Sequence, residues 1–164
     1  MYLYIITDCD ATAADRAGRQ MSRIKLDGVF YSSSRRGKVT AESILKYQNA
    51  DNCRFELLES ICSLDGEKAE AFMGAPAESL LSMGRVALVV PAEDFGQHLG
   101  PRIMHVSDKS IGEGVQFAPT EGTISMFNVK KGETIETTGY FVNASLHLKV
   151  SDPDIIKDLP LSEE

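Results

Sequence analysis

The chain has 164 residues, 43% hydrophobic and 25% charged, and its 17 basic against 24 acidic side chains leave a formal net charge of -7. A chain of this size buries enough surface for one compact core and leaves no room for a separate cofactor domain. The acidic balance speaks against a nucleic-acid partner, because a phosphate-backbone binder needs a basic face to displace counterions, and the one close basic cluster is Arg35, Arg36 and Lys38. No run approaches the roughly 18 apolar residues of a membrane span, and Met1 to Ile6 lacks the basic region and cleavage site of a signal peptide, so no membrane partner and a cytoplasmic location are expected. Cys9, Cys53 and Cys62 are odd in number and carry no CxxC spacing, which predicts neither a disulfide framework nor a zinc site.

In chain order, Tyr2 to Ile6 is a continuous apolar run of strand length, the pattern of a central strand covered on both faces. It stops at Thr7-Asp8-Cys9-Asp10. A helix is predicted from Thr12, with Thr12 and Asp15 as a capping box and Ala14, Ala17, Met21 and Ile24 at helical spacing. Val29-Phe30-Tyr31 reads as a second strand ending in three serines, and Arg36 to Tyr47 as a second helix with Ala41, Ile44 and Leu45 on one face. A third strand is predicted over Arg54 to Leu58, and one or two helices over residues 65 to 83, interrupted near Gly74-Ala75-Pro76. Val86 to Val90 is the second strongly apolar strand, followed by Pro91-Ala92-Glu93-Asp94 and a weak helix through Ile103. A loop holding Gly112 and Gly114 then leads to two strands, about Thr123 to Val129 and Glu133 to Phe141, joined by a hairpin turn at Lys130-Lys131-Gly132. Met73, Met83 and Met104 read as core fillers.

Strands alternating with helices and then an antiparallel hairpin imply a three-layer α/β/α sandwich with a mixed, mostly parallel sheet. Residues 1–150 are expected to form the single domain and 151–164 an acidic C-terminal tail. Ligands of such folds bind beyond the carboxyl ends of the parallel strands, here Thr7 to Asp10, Ser32 to Arg36 and Pro91 to Asp94.

Those segments carry a resemblance. Tyr31-Ser32-Ser33, Arg35-Arg36 and Thr40-Ala41-Glu42-Ser43-Ile44-Leu45 resemble the histidine phosphatase superfamily, the phosphoglycerate mutase-like proteins, in which a strand ends in Tyr-Ser-Ser and an Arg precedes a Thr-Ala-Glu helix. Gly18-Arg19-Gln20 is similar to the family's Gly-Arg-x-Gln, one residue tighter. With no long insertion between Tyr47 and Val86, the chain looks like the short, cap-free branch that includes phosphohistidine phosphatases of the SixA kind. The resemblance implies an imidazole nucleophile, two Arg and a second His around the phosphate, and a carboxylic acid that protonates the leaving oxygen. Here Thr7-Asp8-Cys9 stands where the family has Arg-His-Gly, and Val90-Pro91-Ala92-Glu93 puts Ala92 at the second His. Arg36 matches a phosphate ligand and Glu59 the acid position. No catalytic set is intact, and the resembled pocket becomes Thr7, Asp8, Arg36, Glu59, Ala92 and Glu93. Asp8, Asp10 and Glu93 would make it acidic, and a phosphate dianion would face carboxylates with one guanidinium in compensation.

The leading expectation is therefore a pseudophosphatase that needs no cofactor and acts by binding a protein partner or small molecule. Three alternatives stay open. Asp8-Cys9-Asp10-Ala11-Thr12 is similar to the Asp-x-Asp-x-Thr signature of haloacid dehalogenase-like phosphomonoesterases, with Asp8 as nucleophile, Asp10 as general acid, Lys38 or Lys68 as the lysine, and Mg²⁺ held by Asp8, Asp10 and Asp94. Residual phosphatase activity or phosphohistidine binding is the second, and an acidic pocket for a cationic or metal-associated molecule the third. Arg36 either keeps an anion site or pairs with a carboxylate such as Asp8 or Glu59. Cys9 is expected to be inert between Asp8 and Asp10. His98, His105 and His147 are read as surface or packed histidines.

Overall fold

A computed structural model of the chain describes residues 1–105, 119–132 and 134–144. The predicted Gly112–Gly114 loop, His147 and the acidic tail lie outside them. Six strands, β1 (Tyr2–Thr7), β2 (Gly28–Tyr31), β3 (Arg54–Leu57), β4 (Arg85–Val90), β5 (Ile124–Lys131) and β6 (Ile135–Ala144), form one sheet in the order β3-β2-β4-β1-β5-β6. β1 to β4 run parallel, whereas β5 pairs antiparallel with β1 and β6 antiparallel with β5. The mixed sheet is thus the one expected.

The two apolar runs occupy neighbouring central strands because only there are both faces covered. Leu3 and Ile5 of β1 and Val86, Leu88 and Val90 of β4 join one core, and Tyr4, Ile6, Ala87 and Val89 the other. Helices α1 (Ala11–Met21) and α2 (Arg35–Leu45) supply Ala17, Met21, Ala41 and Ile44 to the second core. The first is closed by α3 (Gly66–Met73), α4 (Ala75–Leu80) and the stretch in which α5 (Ala92–Asp94) passes through a π-helical turn (Phe95–Leu99) into α6 (Gly100–Ile103). Met73, Met83 and Met104 pack against its rim. Each fully buried aliphatic side chain contributes about 1.5–3 kcal/mol. Among the described residues no helix is long and apolar enough to cross a membrane.

Two local expectations are corrected. The cap of α1 is Asp10 rather than Thr12: its Oδ1 accepts from Thr12 N and Ala13 N, both at 2.9 Å. A carboxylate one residue before the helix reaches the free amides first, and Asp15 instead accepts from Arg19, Lys46 and the Tyr47 hydroxyl. The hairpin turn also sits later than Lys130-Lys131, because both lysines form the exposed end of β5 and Lys131 pairs with Ile135.

Gly18 lets α1 and α2 approach closely. A Cβ there would lie 2.3 Å from the Ser43 carbonyl oxygen and 2.8 Å from the Tyr47 ring. Gly18→Ala is therefore expected to destabilise by about 1–3 kcal/mol in urea unfolding, although alanine is favoured over glycine by about 1 kcal/mol in a helix interior.

Candidate functional site

The carboxyl ends of β1, β2 and β4 meet at one edge of the sheet. The last residue of β1, Thr7, is fully buried, and its hydroxyl donates to Thr120 O at 2.7 Å while accepting from Thr123 N at 2.8 Å. Thr7 N donates to Thr123 O and Gly122 N to Thr7 O, so the Thr120–Thr123 turn is tied to the end of β1. Gly122 takes the left-handed conformation (φ 68°) this turn needs.

Asp8 N continues the sheet by donating to Val90 O. The Asp8 carboxyl is buried, 7% exposed, and Oδ2 accepts from the Ser34 hydroxyl at 2.9 Å. Ser34 is the N-cap of α2, its Oγ accepting from Gly37 N at 2.8 Å. Burial pushes the Asp8 carboxyl above the usual carboxylate range, opposed by the Ser34 bond and the charge of Arg36, while Glu121 adds to the rise. Cys9 N donates to the Thr40 hydroxyl at 3.1 Å, and burial pushes the Cys9 thiol up, away from the thiolate a nucleophile needs. Asp10 is exposed, and its two backbone bonds, Ala13 first, hold it below the usual range.

Arg36 takes neither partner expected of it. Its Nη1 and Nη2 donate to Glu121 Oε1 and Oε2 at 2.6 and 2.5 Å, a bidentate pair between half-exposed side chains. The bond to Arg36 holds Glu121 below the usual carboxylate range. Glu121 is the residue that sequence reasoning missed. Gly122 marks a turn beside it, but nothing in the order of residues places that turn against α2.

Beyond the ends of β2 and β4 lies an open cleft of about 420 Å³. Ser32, Ser33 and Ser34 form one wall, Ser63 and Leu64 a second, and Pro91 and Asp94 a third. Ser32 N donates to Val89 O, and the Ser32 hydroxyl, in a residue 2% exposed, has no hydrogen-bond partner among the described residues. Ser33 N donates to Cys62 Sγ at 3.2 Å. Ser63 adopts a left-handed backbone (φ 51°), and Lys68 Nζ donates to the Cys62 and Ser63 carbonyls at 3.2 and 3.0 Å. Asp94 Oδ2 accepts from Leu64 N at 3.4 Å, and burial pushes this carboxyl up, with the neighbouring His98 lowering it and Glu93 and Asp8 raising it.

Of the six residues expected to form the pocket, Asp8 reaches the cleft through Ser34, and Thr7 is buried beneath the Thr120–Thr123 turn. Arg36 is occupied by Glu121, and Glu59 is exposed at the start of a 3-10 turn. Ala92 is half-buried, and Glu93 is exposed, accepting from Gln97 Nε2 at 3.1 Å. Lys38 is exposed and pairs with Glu42 at 3.8 Å. His105 Nε2 lies 3.1 Å from the Thr137 hydroxyl. Among the described residues no group of three or more His, Cys, Asp or Glu is placed to hold a metal ion.

Neither a protein-family model nor a curated protein sequence matches the chain. Solved structures do match its backbone. The alpha-ribazole phosphatase of Shigella flexneri superposes with a TM-score of 0.69 at 11% identity, covering 88% of this chain and 96% of that one. A mycobacterial glucosyl-3-phosphoglycerate phosphatase in complex with VO3 gives 0.67 at 10% identity over 88% and 99% of the two chains. A protein assigned as the phosphohistidine phosphatase SixA of Agrobacterium tumefaciens gives 0.57 at 9% identity over 77% and 91%. This chain has the histidine phosphatase fold. The ends of β2 and β4 border the cleft through Ser32 to Ser34, Pro91 and Asp94, while Asp8, beyond β1, is bonded to one lining residue, Ser34.

The shifted carboxyls set a pH dependence. Asp8 and Asp94 are raised in the folded state, so the native protein holds protons that the unfolded chain has released, and their contribution falls as pH rises through the folded values. Asp8→Asn and Asp94→Asn are each expected to raise stability at neutral pH, with the gain shrinking as pH drops toward the ordinary carboxyl range near about 4. Urea unfolding at the two pH values checks this.

Proposed function

We propose that this protein is a non-catalytic member of its fold, a pseudophosphatase that works by binding a small molecule or a protein partner at the cleft beyond β1, β2 and β4. The observation that carries the reading is the state of the phosphate-binding positions. The guanidinium that matches a phosphate ligand, Arg36, is already neutralised by Glu121. The end of β1 presents a buried carboxyl where the resemblance implies an imidazole, and a buried carboxylate adjoining the site repels a phosphate dianion.

Group-transfer chemistry needs a nucleophile that can reach phosphorus and donors aimed at its oxygens. Asp8 Oδ2 is bonded to Ser34, the Asp10 Oδ1 is engaged in the α1 cap, and Lys68 is turned to two carbonyls. These engagements favour binding over turnover. The three cysteines, all free, accord with the cytoplasmic location that this reading takes over from the sequence.

The protein is expected to show no turnover of p-nitrophenyl phosphate or of phosphohistidine, with or without Mg²⁺. Mg²⁺-dependent turnover that disappears in Asp8→Asn would replace this reading with one in which Asp8 is a phosphoryl acceptor. Inorganic phosphate is expected to leave the thermal midpoint of the wild type unchanged and to raise that of Glu121→Ala, in which Arg36 is released.

A further inference from the structure

The net charge of -7 hides a polarity between the layers of the fold. Residues 11–48, from the start of α1 to just past α2, carry eight of the chain's 17 basic side chains and three of its 24 acidic ones, a surplus of five positive charges. All other residues together carry nine basic against 21 acidic side chains. The helical layer on one side of the sheet thus has the sign opposite to that of the whole chain.

Helical periodicity sets these charges on one surface. α1 buries Ala14, Ala17, Gly18 and Met21, and α2 buries Gly37, Thr40, Ala41 and Ile44. Because Ala17, Met21, Ala41 and Ile44 enter the same core, the two helices cover the same face of the sheet and their opposite sides point away from it together. On that outer side Arg16 and Arg19 follow one another along α1, with Arg23 just past its end. Arg35, Lys38 and Lys46 recur at helical spacing along α2 and its cap, and all six side chains are exposed. The two rows meet at Tyr47, whose ring centre lies 5.7 Å from the Arg19 guanidinium and 5.1 Å from the Lys46 ammonium.

The acids of this layer are already engaged. Asp15 pairs with Arg19 at 2.8 Å and Lys46 at 3.3 Å, Glu42 pairs with Lys38, and Asp27 Oδ2 accepts from Gly84 N and Arg85 N. Glu121 takes Arg36. The side chains of Arg16, Arg23, Lys25 and Arg35 form no hydrogen bond or ion pair among the described residues.

Four unengaged cations on a flat helical face suit an anionic partner, and the structure favours one class. A face that binds a bilayer adds apolar side chains that enter it, whereas the large exposed hydrophobics among the described residues, Tyr2 and Leu57, lie on β1 and β3. A nucleic acid extends its charge far beyond four cations, and there it would meet the acidic surplus of the rest of the molecule. A short run of carboxylates matches these four and no more, and three of the four are guanidiniums, whose fork pairs a carboxylate through two bonds. We propose that the outer face of α1 and α2 is a docking surface for an acidic segment of a partner protein, rich in Asp or Glu, held by Arg16, Arg23, Lys25 and Arg35. None of these four lines the cleft beyond β2 and β4, so this is a second surface, separate from that one.

Fluorescence anisotropy of the full chain with a labelled Glu-Ser repeat peptide, at about 0.1 M salt where charges more than about 10 Å apart are screened, tests the assignment. The peptide is expected to bind and its Gln-Ser counterpart to give no signal. Arg16→Glu together with Arg23→Glu is expected to weaken binding by roughly ten-fold or more, with thermal unfolding near that of the wild type, since neither side chain holds a bond inside the protein. Lys130→Glu together with Lys131→Glu changes the net charge equally, but Lys131 sits beside Glu78 of α4, which packs on the opposite face of the sheet, so affinity is expected to stay near wild type. No binding of the Glu-Ser peptide, equal binding of the Gln-Ser peptide, unchanged affinity in the double arginine variant, or an equal loss in the double lysine variant would each overturn the proposal. Tighter binding of a DNA oligonucleotide of the same charge, or of vesicles containing phosphatidylserine, would overturn it in favour of a different polyanion.

Discussion

The hydroxyl of Thr7 organises the carboxyl edge of the parallel strands. It stands at the end of a strand buried on both faces, where any polar group must be paired, and it is paired twice, with Thr120 O and Thr123 N. Those two bonds, with the backbone bonds of Thr7 and Gly122, fasten the turn that opens β5 across the end of β1. Glu121 rides on that turn and is thereby delivered to Arg36, 85 residues away in sequence. A threonine thus holds an internal structural bond at the position where the resemblance implies a phosphate-binding arginine, and the turn it fastens carries the carboxylate that pairs with Arg36.

The electrostatics of the edge follow from this arrangement. With Arg36 committed to Glu121, Asp8 is left with one hydroxyl bond, the N-terminal end of α2 and a distant guanidinium to offset its burial. Burial raises the Asp8 carboxyl above the usual range, the direction also taken by Asp94. Phosphatases are among the structures that share this backbone, and a sheet with its crossovers positions strand ends without dictating what those ends carry.

Packing explains why the frame persists at about one residue in ten identical. Central β1 and β4 need only large apolar side chains on alternating faces, a demand many sequences meet, and the α1–α2 contact needs a residue without a Cβ at Gly18. Neither requirement constrains the loops beyond the strands.

Much of the architecture could be read from the residues in order. Apolar runs announced the two central strands, serine and glycine clusters the junctions, and the Tyr31–Leu45 block the fold, because local propensity and burial pattern are properties of neighbouring residues. Where the reading slipped, at the cap of α1 and at the hairpin turn, two adjacent residues competed for one role and three-dimensional reach chose between them. The candidate site was legible only in its strand ends. From the order of residues alone came the strand-end junctions, with the serine run and Asp94 at the sheet's carboxyl edge, and the resemblance that sets Asp8 and Ala92 against imidazoles. That Glu121 pairs with Arg36, that Thr7 is bonded to a turn, and that the buried Ser32 hydroxyl has no partner among the described residues emerges only in three dimensions, because each depends on which segments pack together, which no local pattern encodes.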